Sequence, residues 1–517
     1  MHPSSHSALE TLSHLIQTAQ VDQAWQLCQS SLQTAPNDPE LQVIWGYLQL
    51  DKGQAAEAAV AFQRALALGA QDPKLTRFLA QACRVQGDWQ GVIHWENAYF
   101  DQVPEDLDAL LRIGEAHLHL NAPGQALARF HKAVELAFKR GDFAGAAQTL
   151  QGVLQLFPGH PELRFLQAKL LLQQGQSAAA QALIAELYLA KVLPQKTAPS
   201  ALHSAPPESV HVFGYEWEHH VAQLSYLLEK GVFAREQLPE YTALLAQWQA
   251  LSEQFKGQNP FLCQEISGKG VALLKQPYYL PALPTFKALL HPDLDLAAVE
   301  AAFLGQNSGI VVLEPLLRPE VVAALYEYCL SATIWHQAYA TGYLGCSWRD
   351  GFHPALLFQL AEELQTALPN IFKQHKLTHL WSFKCDQRGR GTGVHGDEAA
   401  LNLNFWITPT AANLQPEAGG LIIYDKAAPA DWSFNQYNQA DQIPLIYDYL
   451  KRSQAQPHRI AYRQNRAVLF SSDLFHEADQ LVFAPGFVNM RLNITLLFGT
   501  RPRHTHRHTH RHAKSKE

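Results

Sequence analysis

The chain has 517 residues, 40 Lys+Arg against 47 Asp+Glu, a formal net charge of -7, and 47% hydrophobic residues. That apolar content builds packed cores and excludes general disorder, and the length points to about three domains. No apolar run is long enough to read as a membrane span, the start lacks the basic-then-apolar pattern of a secretion signal, and the six cysteines are scattered without a C-x-x-C pair, so reduced thiols and a cytoplasmic location are expected.

The first third repeats. Gly46, Ala80 and Gly114 recur at steps of 34, and Gly53, Gly87 and Asn121 follow each of them at the same offset. The first set suits close helix crossings and the second suits turns between helices. Ala58 and Ala126, Phe62 and Phe130, and Ala65 and Ala133 are in phase, with Pro39 and Pro73 opening repeats and Pro36 and Pro104 closing others. Ala24 extends the phase backwards. These residues resemble the tetratricopeptide repeat, and residues 1–194 are expected to form an all-α solenoid of that type. Gly141, Ala146, Leu150, Val153 and Pro158 match a second repeat helix but come too early, only 20 residues after Asn121, so an odd or shared helix is expected near 125–158. Pro161, Ala168, Gly175 and Ala180 then fit a further repeat. Stacked repeats leave a concave groove, and a protein or peptide partner is expected there.

Residues 195–212 are Pro-rich without apolar periodicity and read as a linker. Residues 213–308 read as a helical connector, with Val221, Leu224, Leu227 and Leu228 at helical spacing. His219-His220 is expected on a surface helix. His291-Pro292-Asp293 resembles a metal-binding triplet but reads as a turn entering a helix.

From residue 309 the pattern changes. An apolar strand at 310–313 and helices at 319–331 and 355–368 precede strand-like runs at 379–385, 401–408, 421–424, 467–471 and 487–498. Helices followed by at least five strands suggest an α+β unit with a sheet-built barrel or sandwich. Two strands carry a polar face: Asn402, Asn404, Trp406 and Thr408 on one, and Asn489, Arg491, Asn493 and Thr495 on the other. Such a face lies either on solvent or in a polar interior, where a mid-strand Arg needs an anionic partner.

His395-Gly396-Asp397 places an imidazole and a carboxylate on one side of an extended segment. About two His-x-acid triplets arise by chance at this composition, so the triplet gains weight from its context. Downstream, strand 467–471 runs into His476, and Arg491 follows fifteen residues later. Two His and one carboxylate with open positions suit non-haem Fe(II), and zinc uses similar ligands.

Residues 309–500 resemble the Fe(II)- and 2-oxoglutarate-dependent dioxygenases, in particular the prolyl-hydroxylase-like branch. The resemblance lies in His395-Gly396-Asp397, the run 401–408, Glu417 to Tyr424 with its Gly-Gly pair, Asn465 to Phe470 leading to His476, and Arg491 to Thr495. It implies a double-stranded β-helix (jelly-roll) barrel. It implies that His395, Asp397 and His476 are the catalytic iron ligands, and that Arg491 meets the distal carboxylate of 2-oxoglutarate. Asn493, Thr495, Asn402 and Asn404 would line the co-substrate pocket. Many prolyl hydroxylases use a Lys ten residues after the distal His, but that position is Gly486 here, so the Arg arrangement of other branches fits better. The carboxylate at 397 favours hydroxylation over halogenation. The implied reaction consumes 2-oxoglutarate and O2 and hydroxylates a C–H bond, of a peptidyl substrate recruited by the repeats. The alternatives are a catalytically inactive scaffold for protein–protein interaction and a metal enzyme independent of 2-oxoglutarate.

The insertion 425–460, with Trp432, Phe434 and Tyr437, is either a substrate lid or a surface excursion. Residues 501–517 hold five of the 25 His, six Lys/Arg and one acid, and read as a disordered tail. The acidic excess therefore lies in the body, which makes nucleic-acid binding unlikely.

Overall fold

The computed structural model of the protein describes residues 3–196, 208–268, 270–305, 309–429, 432 and 438–500. Most of the predicted linker, Phe434 and Tyr437 of the insertion, and the His-rich tail lie outside them. By compactness the chain divides into residues 1–167 and 168–517.

The first unit is a run of antiparallel helices: α1 (Pro3–Gln17), α2 (Val21–Thr34), α3 (Pro39–Asp51), α4 (Ala55–Ala67), α5 (Lys74–Val85), α6 (Trp89–Gln102), α7 (Leu107–His119), α8 (Pro123–Arg140) and α9 (Phe143–Leu156). Short acids start several of them. Asp38, Asp88, Asp106 and Asp142 each accept a hydrogen bond from a backbone N–H of the following first turn, which satisfies donors that a helix leaves unpaired. The small residues in 34-residue phase are where helices touch. A Cβ on Gly46 would stand 2.7 Å from the Phe62 ring, and one on Gly114 would stand 2.5 Å from the Phe130 ring. Gly53, Gly87 and Asn121 all adopt positive φ at the turns. The predicted irregularity is resolved as an 18-residue α8 that closes on Gly141 in the left-handed region, followed directly by α9.

The helix α10 (Pro161–Gln173) runs across the dividing point, and α11 (Ser177–Lys196) belongs to the second unit. There Gln181 Nε2 donates to the His353 carbonyl at 3.1 Å, and the Tyr188 and His353 rings meet edge-on at 5.4 Å. The last repeat helix thus covers its apolar face with the β-rich unit instead of another repeat.

The connector is not all helical. Strand β1 (Glu208–Phe213) pairs antiparallel with β2 (Cys263–Gly268), flanking α12 (Gly214–Glu229) and α13 (Leu238–Leu251). Val212 and Ile266 point into a core with Trp217, Leu224, Leu227, Leu244 and Trp248, while Ser209, His211 and Glu265 face out. The strand begins inside the stretch predicted as linker, because its partner lies some fifty residues away and no local pattern announces the pairing. The surface expectation for His219 and His220 is also corrected: both are buried. His219 Nε2 lies 3.1 Å from Lys384 Nζ, and Gln223 donates to the Leu330 and Ala332 carbonyls at 2.9 and 3.0 Å. This face of α12 packs inward with Gln223 Nε2 and His219 Nε2 partnered.

His291 is 3.8 Å from Asp293, in the turn before α14 (Leu296–Gly305), whose first turn is capped by Asp295. Beyond it come β3 (Ile310–Leu313), α15 (Pro319–Ser331), β4 (Gln337–Tyr339), β5 (Tyr343–Ser347), α16 (Ala355–Ala367), β6 (Leu377–Cys385), β7 (Leu401–Trp406), β8 (Leu421–Ala427), α17 (Ile443–Arg452), β9 (Pro457–Ile460), β10 (Ala467–Ser471), β11 (Leu474–Ala478) and β12 (Arg491–Phe498). Seven strands form one antiparallel sheet in the order β3-β10-β7-β12-β6-β5-β4, and three form a second in the order β11-β8-β9. Among the described residues the two sheets do not close into one barrel. Between them lies a core of Trp406, Ile423, Tyr462, Val468, Phe470 and Phe483. The predicted strand at 487–498 begins only at Arg491, because residues 487–489 turn as a short 3-10 helix.

Candidate metal centre

The polar faces of β7 and β12 are interior. Asn402, Asn404, Arg491, Asn493 and Thr495 are all buried, which excludes the solvent-face reading. The register explains their meeting: Thr495 of β12 stands opposite Asn404 of β7.

His395, Asp397 and His476 come together although 79 residues separate the last two. His395 and His476 form an antiparallel bridge, each N–H donating to the other's carbonyl at 3.0 and 2.9 Å. The Asp397 N–H donates to the Ser472 carbonyl at 3.1 Å. One ligand atom from each of the three side chains lies within 4.8 Å of the others. His476 Nε2 is 3.4 Å from Asp397 Oδ2, and His395 Nε2 is 3.9 Å from Asp397 Oδ1.

This donor set fits a cation. His395 Nδ1 donates to the Gly393 carbonyl at 2.8 Å and His476 Nδ1 to the Leu474 carbonyl at 3.0 Å. A carbonyl only accepts, so the proton sits on Nδ1 and the lone pair on Nε2, facing the carboxylate. Burial and the neighbouring His476 lower the His395 pKa, which favours its neutral, ligating form. Burial pushes the Asp397 carboxyl up, but whenever His476 carries a second proton, on Nε2, its hydrogen bond and charge, with the charges of His395 and His379, outweigh burial and hold the group below its ordinary value.

A chain of amides runs from the carboxylate into the sheet. Asn402 Nδ2 donates to Asp397 Oδ2 at 2.5 Å, and Asn404 Nδ2 donates to Asn402 Oδ1 at 2.5 Å. Asn404 Oδ1 accepts from Asn493 Nδ2 at 2.9 Å and from the Thr495 hydroxyl at 2.8 Å. Asn402 and Asn404 each accept from one neighbour and donate to the next, which fixes their amide orientation, and Asn493 closes the chain as a donor to Asn404 and to the Thr495 hydroxyl.

The same cavity is lined by His395, Asp397, His476, Arg491, Asn404, Asn493 and Thr495. Asn402 is not on its wall and reaches the site through Asp397. Arg491 donates through Nε to the Gly419 carbonyl at 2.7 Å and through Nη2 to the Gly420 carbonyl at 3.0 Å, and lies over Trp406 at 5.6 Å. A Cβ on Gly420 would collide with the Ile460 carbonyl, so the Gly-Gly pair is what admits this packing. Two of the guanidinium's five N–H donors are used on those carbonyls. The wall also contains Trp381, Phe383, Thr392 and Leu421, which the residue pattern did not single out. Trp381 and Phe383 alternate along β6, and that spacing is the signal that would have found them.

Residues 45–98 and 137–192 each match a tetratricopeptide repeat model, so the helical array ahead of β1 is an all-α tetratricopeptide solenoid, and the C-terminal region is rich in antiparallel strands. None of the curated proteins matches the sequence. Among solved structures, pilF of Pseudomonas aeruginosa is 14% identical over 35% of this chain and 89% of that one, with a TM-score of 0.24. YrrB, a repeat protein with an unusual peptide-binding site, is 13% identical over 35% and 82%, with a TM-score of 0.23. SnoK, a non-heme alpha ketoglutarate dependent carbocyclase from nogalamycin biosynthesis, is 12% identical over 39% and 82%, with a TM-score of 0.30. No helix among the described residues is long and apolar enough to cross a membrane.

Proposed function

We propose that the protein is a non-haem Fe(II)- and 2-oxoglutarate-dependent oxygenase that hydroxylates a C–H bond, with a peptidyl substrate recruited by the repeat array. The observation that carries this reading is the convergence of His395, Asp397 and His476 in one cavity with a buried arginine. We read the two antiparallel sheets as the two walls of a double-stranded β-helix, supported by the shared core between them.

In this reading Fe(II), with 2-oxoglutarate and O2, supplies the oxidising power when bound, releasing succinate and CO2. The Nε2 lone pairs of His395 and His476 and the Asp397 carboxylate would hold the ion. Asn402 orients that carboxylate. Arg491, fixed by the Gly419 and Gly420 carbonyls, turns its remaining donors to the distal carboxylate of 2-oxoglutarate, a group that suits a planar fork. Asn404, Asn493 and Thr495 lend polar contacts beside it, while Trp381 and Phe383 give the cavity an apolar part of its wall.

The test is anaerobic purification followed by addition of Fe(II), 2-oxoglutarate and oxygen, with succinate measured. Slow succinate release that His395→Ala abolishes is expected. Absence of succinate together with absence of iron and 2-oxoglutarate binding sinks the reading and leaves the scaffold alternative.

A further inference from the structure

The insertion between β8 and β10 touches the metal centre on both sides. Asn438 grips the backbone of Gly396, the residue between His395 and Asp397. Its Oδ1 accepts from the Gly396 N–H at 3.2 Å, and its Nδ2 donates to the Gly396 carbonyl at 2.7 Å. On the other side, Glu477 follows His476 directly. Tyr447 of α17 donates to Glu477 Oε2 at 2.5 Å, and Tyr424 of β8 donates to Oε1 at 2.6 Å. An apolar seam repeats this arrangement one residue earlier on each segment. Val394 precedes His395 and Phe475 precedes His476, and both pack against Ile446 and Leu450 of α17.

Each histidine therefore has an apolar neighbour before it and a polar-anchored position after it, all held by residues 438–450. Between the two segments the chain itself supplies the His395–His476 bridge, the Asp397 N–H donating to the Ser472 carbonyl at 3.1 Å and the Ala478 N–H donating to the Thr392 carbonyl at 2.9 Å. These bonds set the backbone register, ligand atoms need placement to about half an ångström, and the side chains of residues 438–450 brace the same segments from outside that ladder.

We infer that Asn438 and Tyr447 are positioning residues for the metal centre, and that the insertion is a clamp setting the spacing of the two histidine-bearing segments. The inference rests on the metal reading of His395, Asp397 and His476. It departs from both the lid and the surface-excursion expectations, because the insertion's contacts are with the ligand backbone.

The experiment is titration of the full chain with Co(II), followed by its d–d absorption, for the parent, Asn438→Ala, Tyr447→Phe, the double variant and His395→Ala. Loss of supporting contacts around metal ligands weakens metal binding by about 10- to 100-fold. The expected result is a loss of that order in the double variant, with an altered d–d spectrum, a thermal midpoint near the parent's, and partial recovery when Asn438→Asp restores the acceptor to Gly396. A folded double variant with the parent's affinity and spectrum overturns the clamp while leaving the metal reading intact. Should the double variant not fold, Tyr447→Phe decides, since it removes one hydroxyl and keeps the ring. A parent that binds no Co(II), or that binds it as well after His395→Ala, overturns the metal reading and the clamp with it.

Discussion

At the scale of single residues, the site depends on side chains that touch no ligand. Asn402 is fully buried and gives a donor to Asp397. Asn402→Leu keeps approximate volume but removes that donor and leaves Asn404 Nδ2 without its acceptor. Metal affinity is expected to fall at least about tenfold, read by Co(II) titration. Lys384 lies away from that site, on the opposite face of β6 from Phe383 and Cys385. Its ammonium is fully buried, donates to the Cys329 carbonyl at 3.1 Å and lies over Trp335 and Phe487 at 4.7 and 4.5 Å. Burial lowers its pKa to about 7, against small opposing contributions from Cys329 and Cys346. Between about pH 7 and about pH 10 the unfolded chain then holds a proton that the folded chain has released, so stability rises with pH across that window and is lower below it. Lys384→Met is expected to flatten this slope, checked by chemical denaturation of both proteins across the window.

Elements show where local sequence suffices and where it does not. The repeat helices were readable because their signals are local: a small crossing residue, a turn Gly or Asn, a Pro at the repeat boundary. Gly114→Ala puts a methyl into the Phe130 ring, and overpacking of this kind costs about 1–3 kcal/mol; a lower denaturation midpoint, with little change from Gly124→Ala as control, checks it. The strands β7, β10 and β12 were readable from apolar residues in alternation or in runs, and the residues of the triad from type and spacing. The direction of the polar faces was not, because alternation says which residues share a face and not which face is wet. Strands β1, β2 and β9 were missed because each is partly exposed and completed by a partner far along the chain, and β4 because it is three residues long and pairs in a tight hairpin with β5. In α17 the buried pair Ile446 and Leu450 stands at helical spacing, yet nothing local says that the helix ends beside His395 and His476.

For the whole molecule, the repeat array and the metal centre predict separable activities. A chain lacking residues 1–158 is expected to retain slow succinate release without prime substrate and to lose turnover of a protein substrate. Equal substrate turnover by the shortened and full chains would count against recruitment by the repeats. The cut is placed before α10 because α11 packs with the β-rich unit through Gln181 and Tyr188. The same reasoning bears on Lys384. With α12 removed, a lysine in the middle of the large sheet would lose His219 and stand open to water on what is now an inner surface. The segment from 309 onward is therefore expected not to fold when excised, although the motifs all fall there. Any smaller fragment is expected to need the connector over that face of the sheet, and insertions or fusions that separate the two are expected to yield insoluble protein.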